Sequence, residues 1–147
     1  MNPPKRKPNI GVLLRVPSQK LINRLHKRLE EAGYPDIRPA HGYIFQHIQP
    51  EGCRLTELAE RTQLTKQAIS YLVDYLEERG YLESVPDPND GRSKLIRLTD
   101  SGREMMDVAD GIFTRMEEEV SAIMGMEDVQ TLRHLLDKLS HTLTTID

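Results

Sequence analysis

Residues 52–103 most constrain the fold of this chain, because they predict two short helices followed by a β-hairpin. Thr56 and Thr65 each precede a helical pattern, and a threonine hydroxyl can accept a first-turn N–H at a helix start. Thr62-Gln63-Leu64 supplies the turn between the two helices. Gly80 is predicted to end the second helix, since glycine readily adopts the left-handed conformation common just past a helix end.

The second of these helices has one apolar and one polar face. At about 100° per residue, the apolar side chains fall on a single arc, which predicts their burial. They are Ala68, Ile69, Leu72, Val73 and Leu76. The opposite face carries Lys66, Gln67, Ser70, Tyr71 and Asp74. All but Asp74 lack negative charge and lie near the helix N-terminus, where the helix dipole favours phosphate. This half of the helix is suited to the major groove of DNA, although an ordinary solvent-exposed face has the same pattern.

The predicted hairpin has strands at 81–85 and 95–99 with a polar tip between them. Asp90-Gly91 is a turn signal, and two prolines before it stiffen the approach. Arg92 is predicted to project from the tip, with Asp90 accepting from its guanidinium. An arginine held on a rigid turn suits the narrow, negative minor groove. The alternative is that Asp90 makes only turn hydrogen bonds and Arg92 is solvated.

Residues 55–103 resemble the winged helix-turn-helix of the MarR (multiple antibiotic resistance regulator) family. The most specific part is the wing segment DPNDGRSK at residues 87–94, followed by Leu98-Thr99 and Gly102. The resemblance implies a mainly α fold with a small β-hairpin wing. It also implies a homodimeric bacterial transcription factor, usually a repressor, whose affinity for DNA responds to a small molecule or an oxidant. We therefore expect a repressor that binds a palindromic operator in double-stranded DNA and is released by a small-molecule effector.

The predicted DNA contacts divide among three parts of the duplex. The major groove would be read by Thr65, Lys66, Gln67, Ser70 and Tyr71, the minor groove by Arg92 oriented by Asp90, and the phosphates by Arg54 and Lys94. Two such units would read a palindrome, which favours a twofold dimer.

The flanking segments are predicted to be helical and to pair two chains. A first helix is expected from near Pro17-Ser18 to Gly33. The last helix repeats apolar residues at alternating spacings of three and four, an a/d pattern over about two and a half heptads. The predicted dimer contacts are Leu21 and Leu25 in the first helix and Val129, Leu132, Leu136, Leu139 and Leu143 in the last. The alternative is burial of this stripe within its own subunit.

The length of 147 residues predicts a single domain at 10–147 after a disordered basic arm at 1–9. Its DNA-binding lobe is expected at 37–103, and its dimerisation lobe at 10–36 together with 104–147. Further local predictions are a short helix at 40–48, a strand at Arg54-Leu55, a capping box from Ser101 to Glu104, and a helix end at Gly125.

Charge and hydropathy restrict the class of protein. The formal net charge is −3, and residues 52–103 contain eight basic and nine acidic residues. Binding to DNA must therefore depend on which face holds the positive charges, and a sequence-indifferent basic coat protein is disfavoured. No apolar run approaches the ~20 residues that span a bilayer, and no signal peptide is evident, so we expect a cytoplasmic protein.

No residue pattern indicates catalysis, a cofactor or a metal. The five histidines form no H-x-x-x-H or Cys/His cluster, and no nucleophile elbow or phosphate-binding glycine loop is present. The single Cys53 fits a reducing compartment, and a packed, inert thiol is favoured there over a redox sensor. The alternative functions are therefore a thiol-based redox-sensing regulator through Cys53, a winged-helix protein-interaction module and a constitutive architectural DNA binder.

Overall fold

A computed structural model describes residues 7–146. The chain is mainly helical with one two-stranded antiparallel sheet, which confirms the predicted fold class. In chain order the elements are α1 (Ile10–Glu31), a 3₁₀ turn (Pro39–His41), α2 (Gly42–Phe45), α3 (Leu55–Thr62), α4 (Lys66–Glu78), β1 (Leu82–Asp87), β2 (Asp90–Leu98), α5 (Asp100–Met124) and α6 (Met126–Ile146).

These elements form two compact units, one ending at Ala109 and one beginning at Asp110, with the boundary inside α5. The predicted division into a DNA-binding and a dimerisation lobe stays a prediction. Within residues 7–146, no helix combines the length and the apolar character needed to cross a lipid bilayer.

The first helix begins at Ile10 and not near Pro17, so the predicted start is wrong. The Asn9 side chain accepts the Val12 N–H at 3.0 Å and caps the helix seven residues earlier. Pro17 then lies inside α1, where it removes only one intrahelical hydrogen bond. Asn9, placed by the sequence in a disordered arm, belongs to this cap, and residues 1–6 of that arm lie outside the described residues.

The helix-turn-helix follows the predicted order with one corrected boundary. The third helix, α3, begins at Leu55 because the Glu57 carboxylate accepts the Arg54 N–H at 2.8 Å, so the predicted cap at Thr56 is wrong. Gln63 adopts the left-handed conformation at φ 56°, which confirms the predicted turn. Thr65 accepts the Ala68 N–H at 3.1 Å and caps α4, as predicted.

The apolar arc of α4 packs into the core of the first unit. Ile69, Val73 and Leu76 are buried, whereas Ala68 and Leu72 are half-buried. The helix contacts α2, α3, β1 and the 3₁₀ turn, so these three side chains meet neighbours on several sides. Burial of this arc leaves the opposite face of α4 to solvent, and Gly80 follows its end with a positive φ of 77°, as predicted.

The wing is longer and its turn tighter than predicted. Its ladder runs from Leu82↔Leu98 to Pro86↔Lys94 and then, after a shift of register, to Asp87↔Asp90, which leaves only residues 88 and 89 in the turn. The assignment of the turn to Asp90-Gly91 is therefore wrong, because Gly91 lies in β2. Cys53 extends the sheet, since it exchanges two backbone hydrogen bonds with Ile96 at 2.9 and 3.0 Å. The predicted strand at Arg54-Leu55 is displaced by one residue.

Two other helix boundaries differ from their predictions. At the start of α5, the Thr99 hydroxyl accepts the Gly102 N–H at 3.0 Å, so Thr99 replaces the predicted capping box at Ser101. The helix predicted at 40–48 is shorter, because only the 3₁₀ turn and α2 form there. Gly125 separates α5 from α6, as predicted.

The predicted dimer contacts differ in exposure. In α6 no side chain is fully buried: Leu132, Leu136 and Leu143 are exposed, and Val129 and Leu139 are half-buried. Burial of the a/d stripe within its own chain, the alternative to dimerisation, is thus not found. In α1 Leu21 is exposed, but Leu25 is already buried within the chain and has little surface to offer a partner.

A buried histidine lies where the 3₁₀ turn meets α4. The His41 ring stacks on Tyr75 with centroids 4.6 Å apart, and its Nδ1 accepts the Arg38 N–H at 3.0 Å. Burial, and then the nearby charges of Arg38 and Arg79, lower the pKa of His41 to about 4. The neutral ring is therefore the form that the fold accommodates.

Acidification from pH 7 to pH 5 is expected to lower the free energy of unfolding by about 2 kcal/mol, because His41 is held neutral in the folded chain. Between pH 6.5 and 4, His41 is protonated to a greater extent in the unfolded chain than in the folded chain. The contribution of His41 is therefore complete above pH 6.5 and is lost as the pH falls towards 4. Urea unfolding at pH 7 and pH 5 measures this difference. His41→Gln should reduce it and the exposed His134→Gln should not, whereas equal losses in both variants would contradict the assignment.

Candidate nucleic-acid interface

The first half of α4 presents the predicted reading face to solvent. Lys66, Gln67 and Tyr71 are exposed, and Tyr71 is 71% exposed despite its aromatic ring. Ser70 is half-buried, and Thr65 lies exposed at the helix start that it caps. These side chains offer an ammonium, an amide, a phenol and hydroxyls, which can hydrogen-bond to base edges and phosphates.

A groove of about 350 Å³ separates α3 and α4 from the wing. It brings together four of the predicted DNA contacts, namely Arg54, Lys66, Ser70 and Lys94. Its other lining residues are Leu55, Thr56, Val73, Asp74, Glu77, Ser84, Ser93 and Ile96. The carboxylates of Asp74 and Glu77 come from the later turns of α4, so the first turns of the helix are the ones suited to DNA.

Three other predicted contacts share a shallow depression on α4. Thr65, Gln67 and Tyr71 line it together with Ala68 and Leu72. Half-buried Leu72 and exposed Tyr71 provide apolar surface beside the Gln67 amide, a combination that could contact a thymine methyl group next to a hydrogen-bonded base. Neither the groove nor this depression is lined by Asp90 or Arg92.

Asp90 supports the backbone at Arg92 and not its guanidinium. Its Oδ1 accepts the Arg92 backbone N–H at 3.1 Å, and its Oδ2 accepts the Ser93 hydroxyl at 2.9 Å. The predicted bond from the Arg92 guanidinium to Asp90 is therefore wrong. Arg92 is exposed on β2, and among residues 7–146 its guanidinium has no hydrogen-bond or ion-pair partner. The arginine is consequently available to an external anion.

Arg54 is already paired within the chain. Its Nε and Nη2 donate to Oδ2 of Asp87 at 2.9 and 2.6 Å. The hydrogen bond from the Asn89 N–H and then that from Arg54 lower the pKa of the Asp87 carboxyl, so the carboxylate is the stable form. The same pair raises the pKa of Arg54. Arg54 was predicted to contact phosphate, but the structure directs its guanidinium to a carboxylate.

The sequence did not single out Asp87, Ser84 or Ser93, although all three belong to this region. Asp87 had a local signal, since an aspartate before a turn commonly accepts the N–H two residues later, as it does from Asn89 at 2.9 Å. Ser84 donates to the Glu77 carboxylate and so joins β1 to α4. That contact had no sequence signal, because it joins two elements of different periodicity.

Cys53 pairs with Ile96 of the wing, and its side chain is buried. Burial raises the pKa of its thiol, which lowers the fraction of reactive thiolate. This environment favours a packed thiol over a redox sensor. In the described part of the chain, no group of three or more His, Cys, Asp or Glu side chains could hold a metal ion.

Comparison with known proteins relates this geometry to one family. The sequence profile of the MarR family matches residues 36–93, which include the helix-turn-helix and most of the wing. The multiple antibiotic resistance protein MarR of Escherichia coli is 26% identical over 132 residues, covering 88% of this chain and 90% of that protein. The chain is therefore similar to MarR-family proteins, most specifically over its helix-turn-helix and wing.

Other MarR-family matches agree in sequence or in fold. The transcriptional regulator BilQ of Clostridioides difficile is 26% identical over 78 residues, 53% of each protein, so the chain spans about half of that relative. The MepR–DNA complex of Staphylococcus aureus is 25% identical with a TM-score of 0.71, covering 92% of this chain and 99% of that one. BilQ and MepR are both described as transcription regulators, in agreement with the prediction that the chain is not an enzyme.

Proposed function

We propose that this chain is a sequence-specific DNA-binding transcriptional regulator that acts as a homodimeric repressor on a palindromic operator. One observation carries the proposal: the solvent-exposed polar face of α4 lies beside a wing that presents an unpaired Arg92. A recognition helix with such a face can enter the major groove while a wing arginine reaches the adjacent minor groove. The similarity to MepR, whose structure is known in complex with DNA, supports binding to DNA.

The exposed apolar stripe of α6 supports the homodimer. Exposed leucines repeated at a/d spacing along one helix are costly in water and are usually covered by a partner helix. A twofold dimer would present two α4 helices to successive major grooves, which is the arrangement that a palindrome requires.

Release by a small-molecule effector rests on the family resemblance. An effector could act only by binding more tightly to one separation of the two α4 helices than to the other. Such a repressor would act in the cytoplasm, where it meets the bacterial chromosome.

Selection from random duplex DNA tests the proposal directly. We expect purified protein to enrich a palindrome whose half-sites lie about one helical turn, 10–10.5 bp, apart. Bound duplexes would be sequenced after successive rounds at low salt. Enrichment of a single unrepeated site would contradict the dimer, and the absence of any enriched sequence would contradict sequence-specific binding.

Arg92→Ala is expected to weaken binding to the selected operator about tenfold to hundredfold, because it removes the unpaired cation of the wing. Fluorescence anisotropy with a labelled duplex measures the change. Arg97→Ala is the matched control, since Arg97 lies on the same strand but is paired with Glu83 at 2.7 Å. Equal affinities for Arg92→Ala and wild type would overturn the minor-groove assignment and favour a wing that binds protein.

A further inference from the structure

The wing is attached to the helix-turn-helix by two adjacent residues that precede α3. The backbone of Cys53 pairs with Ile96, two residues before the end of β2 at the base of the wing. The side chain of Arg54 extends to Asp87, the last residue of β1, where the hairpin turns. The first contact holds the base of the wing and the second holds its tip.

Asp87 is a crowded, almost fully buried acceptor. Its side chain is 4% exposed, against 39% for that of Arg54. One carboxylate oxygen receives both Arg54 bonds, and the other receives the Asn89 N–H of the wing turn at 2.9 Å. The carboxylate therefore joins the turn of the hairpin to the first residues of α3.

The connection continues to Arg92. Arg54 Nη2 also lies 3.9 Å from Oδ2 of Asp90, and Asp90 accepts the backbone N–H of Arg92. The positions of the wing turn and of the Arg92 backbone are thus both tied to the guanidinium of Arg54.

We propose that the Arg54–Asp87 pair is a positioning element for DNA binding: it fixes the tip of the wing against α3, so that Arg92 meets the minor groove while α4 occupies the major groove. Arg54 then serves binding through the wing and not by contacting a phosphate. This inference rests on the proposed DNA-binding function.

The alternative role for Arg54, direct contact with a phosphate, has a different physical signature. A guanidinium that neutralises a phosphate releases a condensed counterion, and its loss lowers the slope of log K against log[salt] by about 0.9. A guanidinium held by a buried carboxylate releases none. Asp87 also distinguishes the two roles. If it affects DNA only through electrostatic repulsion of the phosphates, removing its charge should strengthen binding. If it positions the wing, removing its charge should weaken binding.

Asp87→Asn therefore provides the decisive measurement. We expect this variant to bind the selected operator about threefold to thirtyfold more weakly than wild type, although it removes a negative charge from the candidate DNA-binding face. Anisotropy titrations at several salt concentrations measure the affinity and its salt slope. Tighter or unchanged binding by Asp87→Asn would overturn the proposal.

A double-mutant cycle separates positioning from direct contact. Arg54→Ala should weaken binding about as much as Asp87→Asn, the two losses should not add, and the salt slope should stay that of wild type. Arg54→Ala should also cost little once Arg92 is alanine. Lys94→Ala is the reference for a direct contact, because Lys94 is exposed and its loss should lower the slope. Additive losses with a lowered slope for Arg54→Ala would overturn the positioning role.

Hydrogen exchange tests the same inference without DNA. Arg54→Ala should speed exchange of the Asn89 and Arg92 amides in the wing, while amides inside α4 keep their protection. Unchanged wing exchange would overturn the inference even if the protein binds DNA. Conversely, faster wing exchange in a protein that enriches no duplex would support the attachment of the wing and contradict the proposed function. Thermal unfolding of each variant distinguishes a local loosening from global loss of the fold.

Discussion

Replacing Gly102 with alanine is expected to lower the free energy of unfolding by about 3 kcal/mol. A Cβ at this position would lie 2.1 Å from the Tyr81 carbonyl oxygen and 3.1 Å from a methyl carbon of Leu98. The first of these neighbours is backbone and cannot rotate away. The start of α5 would have to separate from β1, at the expense of the hydrogen bond from the Thr99 N–H to the Tyr81 carbonyl oxygen at 3.1 Å.

Gly111→Ala is the matched control for this substitution. Gly111 lies in the same helix, and a Cβ there would meet no atom within 4 Å. Alanine should stabilise the helix at this position by about 0.5–1 kcal/mol, because glycine loses more backbone entropy on folding. Urea unfolding followed by far-ultraviolet circular dichroism measures both variants. Shifts of the same sign and similar size would contradict the close approach at Gly102.

If the protein is the proposed dimer, Leu136→Glu is expected to convert it to a monomer and to weaken binding to the selected DNA about a hundredfold. Leu136 lies in the middle of the exposed stripe of α6, where a second chain would bury a carboxylate without a partner. A monomer holds one half-site at a time and so loses the gain in effective concentration that links the two half-sites. Sedimentation velocity measures the oligomeric state, and anisotropy measures the affinity.

The control for the dimer prediction is His134→Glu. This residue lies two positions away, on the opposite side of α6, and is exposed. His134→Glu introduces the same charge as Leu136→Glu but leaves the apolar stripe unchanged. The protein should therefore remain dimeric and bind the operator. A dimeric Leu136→Glu protein with full affinity would show that α6 does not hold the two chains together.

Periodicity and capping chemistry predicted much of the helix-turn-helix correctly, because these signals are local. The apolar arc of α4, the cap at Thr65, and the helix ends at Gly80 and Gly125 all depend on residues within a few positions of one another. The wrong starts of α3 and α5 are local, because neighbouring residues in each could cap the first turn. The start of α1 lies seven residues from its prediction, because Asn9 caps the helix and Pro17 lies inside it.

The wing shows where local signals fail. Asp90-Gly91 is a strong hairpin signal, yet the turn forms at residues 88 and 89. Pairing of β1 with β2 continues as far as Asp87, and the buried carboxylate of Asp87 receives the turn N–H and the Arg54 guanidinium. The tertiary contact and the ladder together override the preference of the Asp-Gly pair.

The sequence alone determined the fold class, the resemblance to the MarR family and the polar face of α4, since each depends on spacings of a few residues or on a contiguous motif. Only the tertiary structure decided which charges on that surface are available for binding. Arg54 and Arg92 look alike in the sequence, but Arg54 is paired with Asp87, 33 positions away, and the guanidinium of Arg92 has no partner among residues 7–146. An ion pair between distant residues depends on how the elements pack, and periodicity does not encode that distance.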